Sequence, residues 1–282
     1  MSLRPYRSAL YIPGSNQRAL DKARGLAADA IIFDLEDAVA PDEKPHARAV
    51  LAAELRAGGY GARARIVRVN GLDSPWGAED LAELGGIAEV DALLIPKVNR
   101  AADIDAVTAI APGKPIWVMM ETAEAMLNAA EIAAHPAVEG MVMGTNDLAK
   151  ELGARHRADR LALQTSLGLC LLAARAQGRI ILDGVYNAFK DEAGLALECE
   201  QGRDLGFDGK TLIHPAQLAI ANAIFAPQPD EIDLAQRQII AFEGAMAAGQ
   251  AVAVVDGKIV ENLHIVTAQA ILAKAKAIAA LG

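Results

Sequence analysis

The sequence of 282 residues has few cysteines, no long apolar run and no excess of basic residues. Its two cysteines, Cys170 and Cys199, are too few for a disulfide framework, and both fall in Ala/Leu-rich stretches where a reduced cysteine acts as a small apolar residue. No run of about 18 apolar residues occurs, which argues against a transmembrane helix, and the opening MSLRPYRSALYIPG lacks the apolar core of a secretory signal. We therefore expect a reduced, soluble, cytoplasmic protein.

The charge balance is acidic, with 27 basic residues against 36 acidic ones and a formal net charge of -9. Proteins that bind nucleic acid usually carry the opposite balance, because they neutralise phosphates. The composition therefore argues against a nucleic-acid partner. A few local Arg and Lys residues are still sufficient to bind a small anionic ligand.

Short apolar runs rich in β-branched and aliphatic residues alternate with Ala/Leu/Glu/Arg-rich segments of helical periodicity. The predicted strands are 8–12, 30–35, 65–69, 92–95, 116–120, 140–143 and 180–182, with a weaker eighth at 209–213. The predicted helices include 17–27, 44–56, 78–84, 122–133 and 192–205. Eight such units in about 225 residues predict an α/β fold, a (β/α)8 TIM barrel. A doubly wound open sheet is the alternative, but Pro13-Gly14-Ser15 after the first strand is not a GxGxxG fingerprint.

The last part of the chain has a different pattern, which begins after Ala226-Pro227-Gln228-Pro229. A helix over 230–248, a strand over 251–255, a turn at Asp256-Gly257 and a helix from about residue 261 are predicted. We therefore predict a barrel over residues 1–226 and a C-terminal helical and hairpin extension over 227–282. The extension is too short for an independent core, so we expect it to pack on the barrel or to reach a neighbouring subunit.

Polar residues follow the predicted strands at their C-terminal ends, where the active sites of barrels lie. They are Asp34, Glu36, Asp37, Arg68, Asn70, Lys97, Glu121, Asn146, Asp147 and Asp183. A charged residue after an apolar strand is often a helix N-cap, and for Asp147 and Asp183 this is the alternative explanation. So many carboxylates at one rim are costly without a cation, and the pattern therefore predicts a cation site.

Oxygen ligands without clustered His or Cys favour Mg²⁺ over Zn²⁺. Glu121 and Asp147 end consecutive strands and are the predicted ligands. Glu36 and Asp37 are predicted to hold metal-bound waters. Arg68, on an adjacent strand end, is predicted to stabilise an oxyanion or enolate that forms during the reaction.

Several stretches resemble the CitE-like branch of the HpcH/HpaI aldolase superfamily: LYIPGS, FDLEDAVAPDEK, RIVRVNG, LIPKV, META, GTNDLA and GKTLIHPAQ. That branch includes citrate lyase β subunits, malyl-CoA and citramalyl-CoA lyases, and malyl-CoA thioesterases. The stretches MVMGTNDLAKELG, DGVYNAF, FDGKTLIHPAQL and VVDGKIVENLHIVTA look most like the thioesterases. The resemblance implies a Mg²⁺-dependent hydrolysis of (3S)-malyl-CoA to malate and free CoA. Mn²⁺ is expected to substitute for Mg²⁺, and coenzyme A enters as part of the substrate.

The resemblance also implies roles for individual residues. Glu121 and Asp147 match the two Mg²⁺ ligands, and Arg68 matches the arginine that contacts the thioester or enolate oxygen. The implied CoA and substrate contacts are Tyr11, Lys22, Arg68, Asn146, Ile213, His214 and Pro215. Asn16 stands where lyases of the family often have a basic phosphate contact.

The resemblance further implies a homotrimer or homohexamer. In the lyases, the extension of a neighbouring subunit supplies an aspartate that protonates the enolate. Glu261 matches that position and is the expected catalytic acid or base. The alternative is that Glu261 only starts the last helix, where an acidic residue is favourable.

Two alternatives to hydrolysis stay open. The Mg²⁺ site and Arg68 equally fit carbon–carbon cleavage of malyl-CoA, β-methylmalyl-CoA or citramalyl-CoA to a 2-oxo acid and an acyl-CoA. The other alternative is a citrate lyase β-subunit-like role in a larger complex, which loss of a metal ligand would favour. The fold does not choose between these activities.

Overall fold

A computed structural model describes residues 4–281, and its central feature is a closed barrel of eight parallel strands. Each strand pairs with the next along the chain, and β8 pairs with β1. The strands are β1 (Ser8–Pro13), β2 (Ala30–Asp34), β3 (Ala64–Arg68), β4 (Ala92–Ile95), β5 (Ile116–Met120), β6 (Val138–Met143), β7 (Ile180–Asp183) and β8 (Gly209–Leu212). The predicted TIM barrel is confirmed, with strand boundaries that move by one or two residues.

The interior of the barrel is filled by side chains of alternating size. Trp117 on β5 lies fully buried in this cluster, together with small residues of other strands such as Ala9 on β1 and Ala92 on β4. Gly140 on β6 leaves room for the indole, since a Cβ there would lie 2.7 Å from Trp117 Cε3. The barrel is therefore a packed core, and only its ends are open to ligands.

Helices connect the strands of the barrel. They are α1 (Gln17–Ala23), α2 (Lys44–Ala57), α3 (Gly77–Gly85), α4 (Ala101–Ile110), α5 (Ala123–Leu127), α6 (Ala129–Ala134), α7 (Thr145–Glu151), α8 (Gln164–Ala176), α9 (Glu192–Leu205) and α10 (Leu218–Ile224). The predicted single helix 122–133 is wrong, because the chain breaks at Asn128, whose side-chain amide donates to the carbonyl of Asn99 at 2.8 Å. The predicted helix 17–27 ends early, at Ala23. Cys170 and Cys199 lie buried in α8 and α9.

The chain divides into two compact units, and the barrel unit comprises residues 6–223. The other unit contains α11 (Pro229–Ala247), a hairpin of β9 (Ala253–Val255) and β10 (Lys258–Val260), and α12 (Asn262–Ala279). Asp256 and Gly257 form the two-residue turn, with φ of 49° and 74°, as the tightest hairpins require.

The C-terminal unit has a small apolar cluster of its own, although its length suggested none. Ala245, Ala253, Val260 and Ile265 are its buried members, and Phe242 is among the residues that pack against them. Within residues 4–281, no helix combines the length and apolar character that crossing a membrane requires.

Candidate active site

A cavity of about 340 Å³ opens at the C-terminal end of the barrel strands. Its walls come from the segments that follow five of the eight strands, β2, β5, β6, β7 and β8, and from the strand ends themselves. The polar side chains among its lining residues are Tyr11, Asp34, Asp37, Arg68, Glu121, Thr145, Asn146, Asp147, Asn187 and Thr211. Seven of the residues predicted from the sequence therefore meet in one place: Tyr11, Asp37, Arg68, Glu121, Asn146, Asp147 and Ile213.

Arg68 is held at the cavity by a paired carboxylate. The register of β2 and β3 places Asp34 beside Arg68, and Asp34 accepts from Arg68 Nε at 2.8 Å and from Nη2 at 2.6 Å. Asp34 also accepts from the backbone N–H groups of Glu36 and Ala38, and only 2% of it is exposed. This bidentate geometry fixes the plane of the guanidinium.

The third donor nitrogen of Arg68, Nη1, lies between two further carboxylates. It is 2.8 Å from Glu36 Oε2 and 3.3 Å from Asp37 Oδ2. Burial alone would lower the pKa of Arg68, but Asp34 outweighs it and holds the pKa well above its ordinary value. The guanidinium is therefore always charged, and Nη1 is the donor that can exchange partners.

Tyr11 supports Arg68 from β1. The guanidinium carbon of Arg68 lies 5.0 Å from the centre of the Tyr11 ring, and the hydroxyl of Tyr11 donates to Met119 Sδ at 3.5 Å. Burial raises the pKa of Tyr11, so its phenol stays protonated. In this structure Tyr11 is a wall of the cavity and a platform beneath Arg68.

Glu121 follows β5 and is 2% exposed. Its Oε1 accepts from the backbone N–H of Lys97 at 2.8 Å. Lys97 adopts a left-handed backbone with φ of 51°, which is unusual for a residue with a side chain and occurs most often at functional sites. Burial raises the pKa of Glu121 to about 7, so a cation would have to offset the charge of this carboxylate.

Asp147 lies in the first turn of α7 and lines the same cavity as Glu121. Its charge contributes, after burial and other groups, to the raised pKa of Glu121, and both carboxylates face the same cavity. Gly144, just before α7, allows this approach because a Cβ there would lie 2.6 Å from Glu121 Oε2. The turn between β6 and α7 therefore packs closely against Glu121.

The donor set fits Mg²⁺. In the part of the chain that the structure describes, no three His, Cys, Asp or Glu side chains are grouped to hold a metal ion. Two carboxylates with open space beside them are the kind of site in which Mg²⁺ keeps waters or binds oxygen atoms of a substrate. Buried Glu121, with its raised pKa, is the residue that most needs such a charge.

Other predicted residues lie elsewhere. Glu36 contacts Arg68 and is 3.5 Å from Lys97 Nζ, so its observed partners are cations of the protein. His214 and Pro215 follow Ile213 beyond the cavity lining, and Lys22 is exposed on α1. Glu261 belongs to the C-terminal unit, where it precedes α12 and its backbone N–H donates to His264 Nδ1.

Asp183 is neither a helix cap nor a cavity residue in the structure. It is fully buried, accepts from Arg160 Nη1 at 2.7 and 2.8 Å, and accepts from Lys210 Nζ at 3.0 Å. Burial alone would raise the pKa of Asp183, but the two cations outweigh it and lower the pKa. This ion-pair cluster ties β7 to β8 below the rim.

The sequence analysis gave Asp34 no role of its own. It was noted only as one of several acidic residues near the end of β2, and its pairing with Arg68 was not predicted. The sequence carries one signal for this residue, an Asp at the end of an apolar strand. Such an Asp often forms a tight turn by accepting from backbone N–H groups that follow it, as Asp34 does from Glu36 and Ala38.

Known proteins resemble this chain in sequence over most of its length. A family model described as HpcH/HpaI aldolase/citrate lyase matches residues 7–215. The chain is 72% identical over 276 residues to the (3S)-malyl-CoA thioesterase of Cereibacter sphaeroides, a match that covers 98% of this chain and 96% of that protein. It is 32% identical over 309 residues to the L-malyl-CoA/beta-methylmalyl-CoA lyase of the same species, which covers 98% and 96%.

A solved structure is similar over nearly the whole chain. CitE from Mycobacterium tuberculosis, in complex with magnesium, acetoacetate and coenzyme A, matches with a TM-score of 0.82 and 29% identity, covering 98% of this chain and 100% of that one. The fold is therefore that of a protein that was solved with magnesium, acetoacetate and coenzyme A.

Proposed function

The chain belongs to the HpcH/HpaI aldolase/citrate lyase family, and on that premise we propose that it hydrolyses (3S)-malyl-CoA to malate and free CoA. The observation that carries this proposal is the 72% identity to a thioesterase over 98% of the chain, against 32% to a lyase. Hydrolysis adds water across the thioester: the C–S bond breaks, the acyl carbon takes the oxygen of water, and the CoA sulfur takes a proton.

Glu121 and Asp147 would hold the metal, and Mg²⁺ is the ion that their chemistry favours. When bound, the ion supplies positive charge that binds the oxygens of the malyl group and neutralises the carboxylates around it. Two observations support this choice: the oxygen-only donors of the cavity, and the magnesium in the related CitE structure. Mn²⁺ is expected to replace Mg²⁺, since it accepts similar oxygen ligands.

Arg68 would bind the thioester carbonyl oxygen. Asp34 already occupies Nε and Nη2, so Nη1 is the donor that turns to the substrate as it exchanges Asp37 for the carbonyl. A fixed charged donor at that oxygen stabilises the negative charge that develops when water attacks. Glu36 and Asp37 would hold metal-bound waters in the same region.

Glu261 would act as the general base for the attacking water, from the C-terminal unit of a neighbouring subunit. Glu261 is exposed at the start of α12, so its side chain is accessible to a second copy of the chain. The CoA part of the substrate would contact Tyr11, Lys22, Asn146, Ile213, His214 and Pro215.

Exposed apolar residues support a homo-oligomer. The C-terminal unit exposes Ile240, Val254, Ile259, Leu263 and Val266, each of them 59% or more exposed. Val254 and Ile259 are paired across the hairpin, and Leu263 and Val266 are three residues apart on α12; exposed apolar residues that lie together usually mark protein interfaces. We assign them to contacts between copies of this chain, in a trimer or hexamer located in the cytoplasm. Light scattering of the purified protein would test this, since a monomer at micromolar concentration contradicts it.

The experiment that tests the function is a product assay. Purified protein with Mg²⁺ and (3S)-malyl-CoA should give malate and free CoA on chromatography. Glyoxylate with acetyl-CoA would instead establish the lyase reaction, and no turnover without added partner chains would favour a citrate lyase β-subunit-like role.

Matched variants show whether the products come from this site. Glu121→Gln and Asp147→Asn should abolish turnover, because each removes a charged metal ligand. Glu200→Gln, an equal change at an exposed position on α9, should leave turnover unchanged.

A further inference from the structure

A second cavity, of about 330 Å³, lies beside the catalytic cavity. Thr145, Asn146, Val185 and Asn187 line both cavities. The segment that connects α7 to α8 supplies most of the remaining wall, from residues within 155–163. The proposed reaction uses none of the residues that line this second cavity alone, so the cavity has no role in that reaction.

A pair of side-chain amides belongs to the walls of both cavities. Asn146 Nδ2 donates to Asn187 Oδ1 at 3.2 Å, and Asn187 Nδ2 donates to Asn146 Oδ1 at 2.8 Å. Because the two amides satisfy each other, they form a shared wall between the catalytic cavity and the second cavity. A ligand in the second cavity would therefore bind apart from the substrate.

The lining of the second cavity is basic. Glu198 is the one carboxylate among the lining residues, and it already accepts from Lys210 Nζ at 2.6 Å. Four lining side chains can carry positive charge: Arg155, His156, Arg157 and Arg160. Such a lining favours an anion as the ligand.

Arg155 carries the charge that is left unmatched in this lining. Arg157 is paired, since its Nε and Nη2 donate to the carboxylate of Asp159 at 2.9 and 2.6 Å. Arg155 and His156 are exposed, and within residues 4–281 neither side chain has a hydrogen-bond or ion-pair partner. Both side chains can therefore turn to a ligand without breaking an existing contact.

Arg160 contributes a buried donor that has no partner. The residue is 5% exposed, and its backbone is left-handed with φ of 50°, a conformation found most often at functional sites. Its Nη1 donates to both oxygens of Asp183, and its Nε donates to Gln201 Oε1 at 2.6 Å. In the part of the chain that the structure describes, Nη2 is buried without a hydrogen-bond partner. A buried donor left unpaired is destabilising, and an acceptor in the cavity would remove that cost.

We propose that the second cavity binds a small oxyanion, a carboxylate or a phosphate, on Arg155 and on Nη2 of Arg160. Guanidinium groups are planar donors whose geometry matches the oxygens of both kinds of anion. His156 adds a further ring nitrogen at the same wall. The inference goes beyond the proposed function, because it assigns a ligand to a cavity that the reaction does not use.

Calorimetry at low ionic strength tests the site without turnover. Inorganic phosphate and L-malate are titrated separately in EDTA, and the probe that binds more tightly identifies the preferred oxyanion. Arg155→Gln removes the unmatched charge, and Arg160→Lys keeps a cation for Asp183 but removes Nη2. Each variant should bind the preferred probe about tenfold more weakly than the wild type. Arg56→Gln, an equal loss of charge at an exposed position on α2, is the matched control and should bind normally.

Kinetics and stability separate this site from the catalytic one. Arg155→Gln should keep the wild-type kcat and KM for malyl-CoA in buffer without phosphate, and the wild-type midpoint of urea unfolding. Because Arg155 is exposed, this variant carries the test even if Arg160→Lys does not fold. No binding of either probe, or equal affinity of Arg155→Gln and the wild type, would overturn the proposal. The proposed function can fail separately, since anion binding is measured even if no malate forms.

Discussion

Replacing Gly144 by alanine should disable the metal site while leaving the barrel folded. Gly144 has a φ of -93°, so alanine fits its backbone, and any effect must come from space. The added Cβ would lie 2.6 Å from Glu121 Oε2, 3.1 Å from Met119 Cε, and closer still to Glu121 Cβ. Since Cβ of Glu121 is fixed to the backbone, the carboxylate must move by roughly 1 Å, a displacement that can cost about 100-fold in rate.

Overpacking at this position should also cost about 1–3 kcal/mol of stability. We expect a kcat/KM about 100-fold lower and a higher Mg²⁺ concentration for half-maximal rate, measured in the product assay with Mg²⁺ titrated. Gly168→Ala is the control, because Gly168 lies within α8 with nothing inside 4 Å of its added Cβ. It should keep full activity and gain about 0.5–1 kcal/mol in urea unfolding. Wild-type Mg²⁺ dependence of Gly144→Ala would refute this account of how Glu121 is placed.

Three further predictions concern charges. Asp34→Asn should lower kcat about 100-fold, because Arg68 loses its bidentate partner, and should cost about 3 kcal/mol in urea unfolding; unchanged kinetics would show that Asp34 does not position Arg68. In EDTA, Glu121 binds a proton more tightly in the folded protein than in the unfolded one, since its pKa is raised to about 7. Its contribution to stability is therefore present at low pH and is lost as the pH rises through 7. The free energy of unfolding, measured in urea at pH 5 and pH 8, should fall more between these two pH values in the wild type than in Glu121→Gln. An equal change in both proteins would contradict this prediction. Glu261→Gln should reduce turnover strongly without changing the affinity for CoA or Mg²⁺, and full turnover in that variant would remove Glu261 from the mechanism.

The barrel was predictable because its strands are apolar on both faces, a pattern that few other folds produce. The meeting of Glu121 and Asp147 at one cavity was predictable for a related reason: Glu121 follows β5, Asp147 lies in the first turn of the helix after β6, and consecutive parallel strands end at the same edge. Both inferences depend only on local pattern and on the closure of the sheet.

The role of Asp34 depended on a boundary that local pattern does not fix. The predicted strand ran to Leu35, whereas β2 ends at Asp34. Because side chains alternate between the two faces of a sheet, an error of one residue changes which side chain at the end of the strand faces the barrel interior. The ion pairs of Asp183 were not predicted for a different reason. Its partners Arg160 and Lys210 are 23 and 27 residues away along the chain, and only the fold brings them together.

The charges around the cavity predict that a cation and the substrate bind together. The carboxylates of Asp34, Asp37, Glu121 and Asp147 line the cavity, and a fifth, that of Glu36, contacts Arg68 beside it. The charge of Arg68 is already matched by Asp34. A malyl group brings one more negative charge. Without a cation this charge would enter a region that is already negative, where burial and neighbouring carboxylates raise the pKa of Glu121 to about 7.

A divalent ion reverses that balance, and it should therefore raise the affinity for substrate as well as the rate. By linkage, malyl-CoA should in turn raise the affinity for Mg²⁺ by the same factor. Calorimetric titration of Mg²⁺ into the Glu261→Gln variant, with and without malyl-CoA, measures this coupling without catalysis. Equal Mg²⁺ affinity in the two titrations would mean that the malyl oxygens do not reach the ion, and Glu121 and Asp147 would then hold it for a structural purpose only.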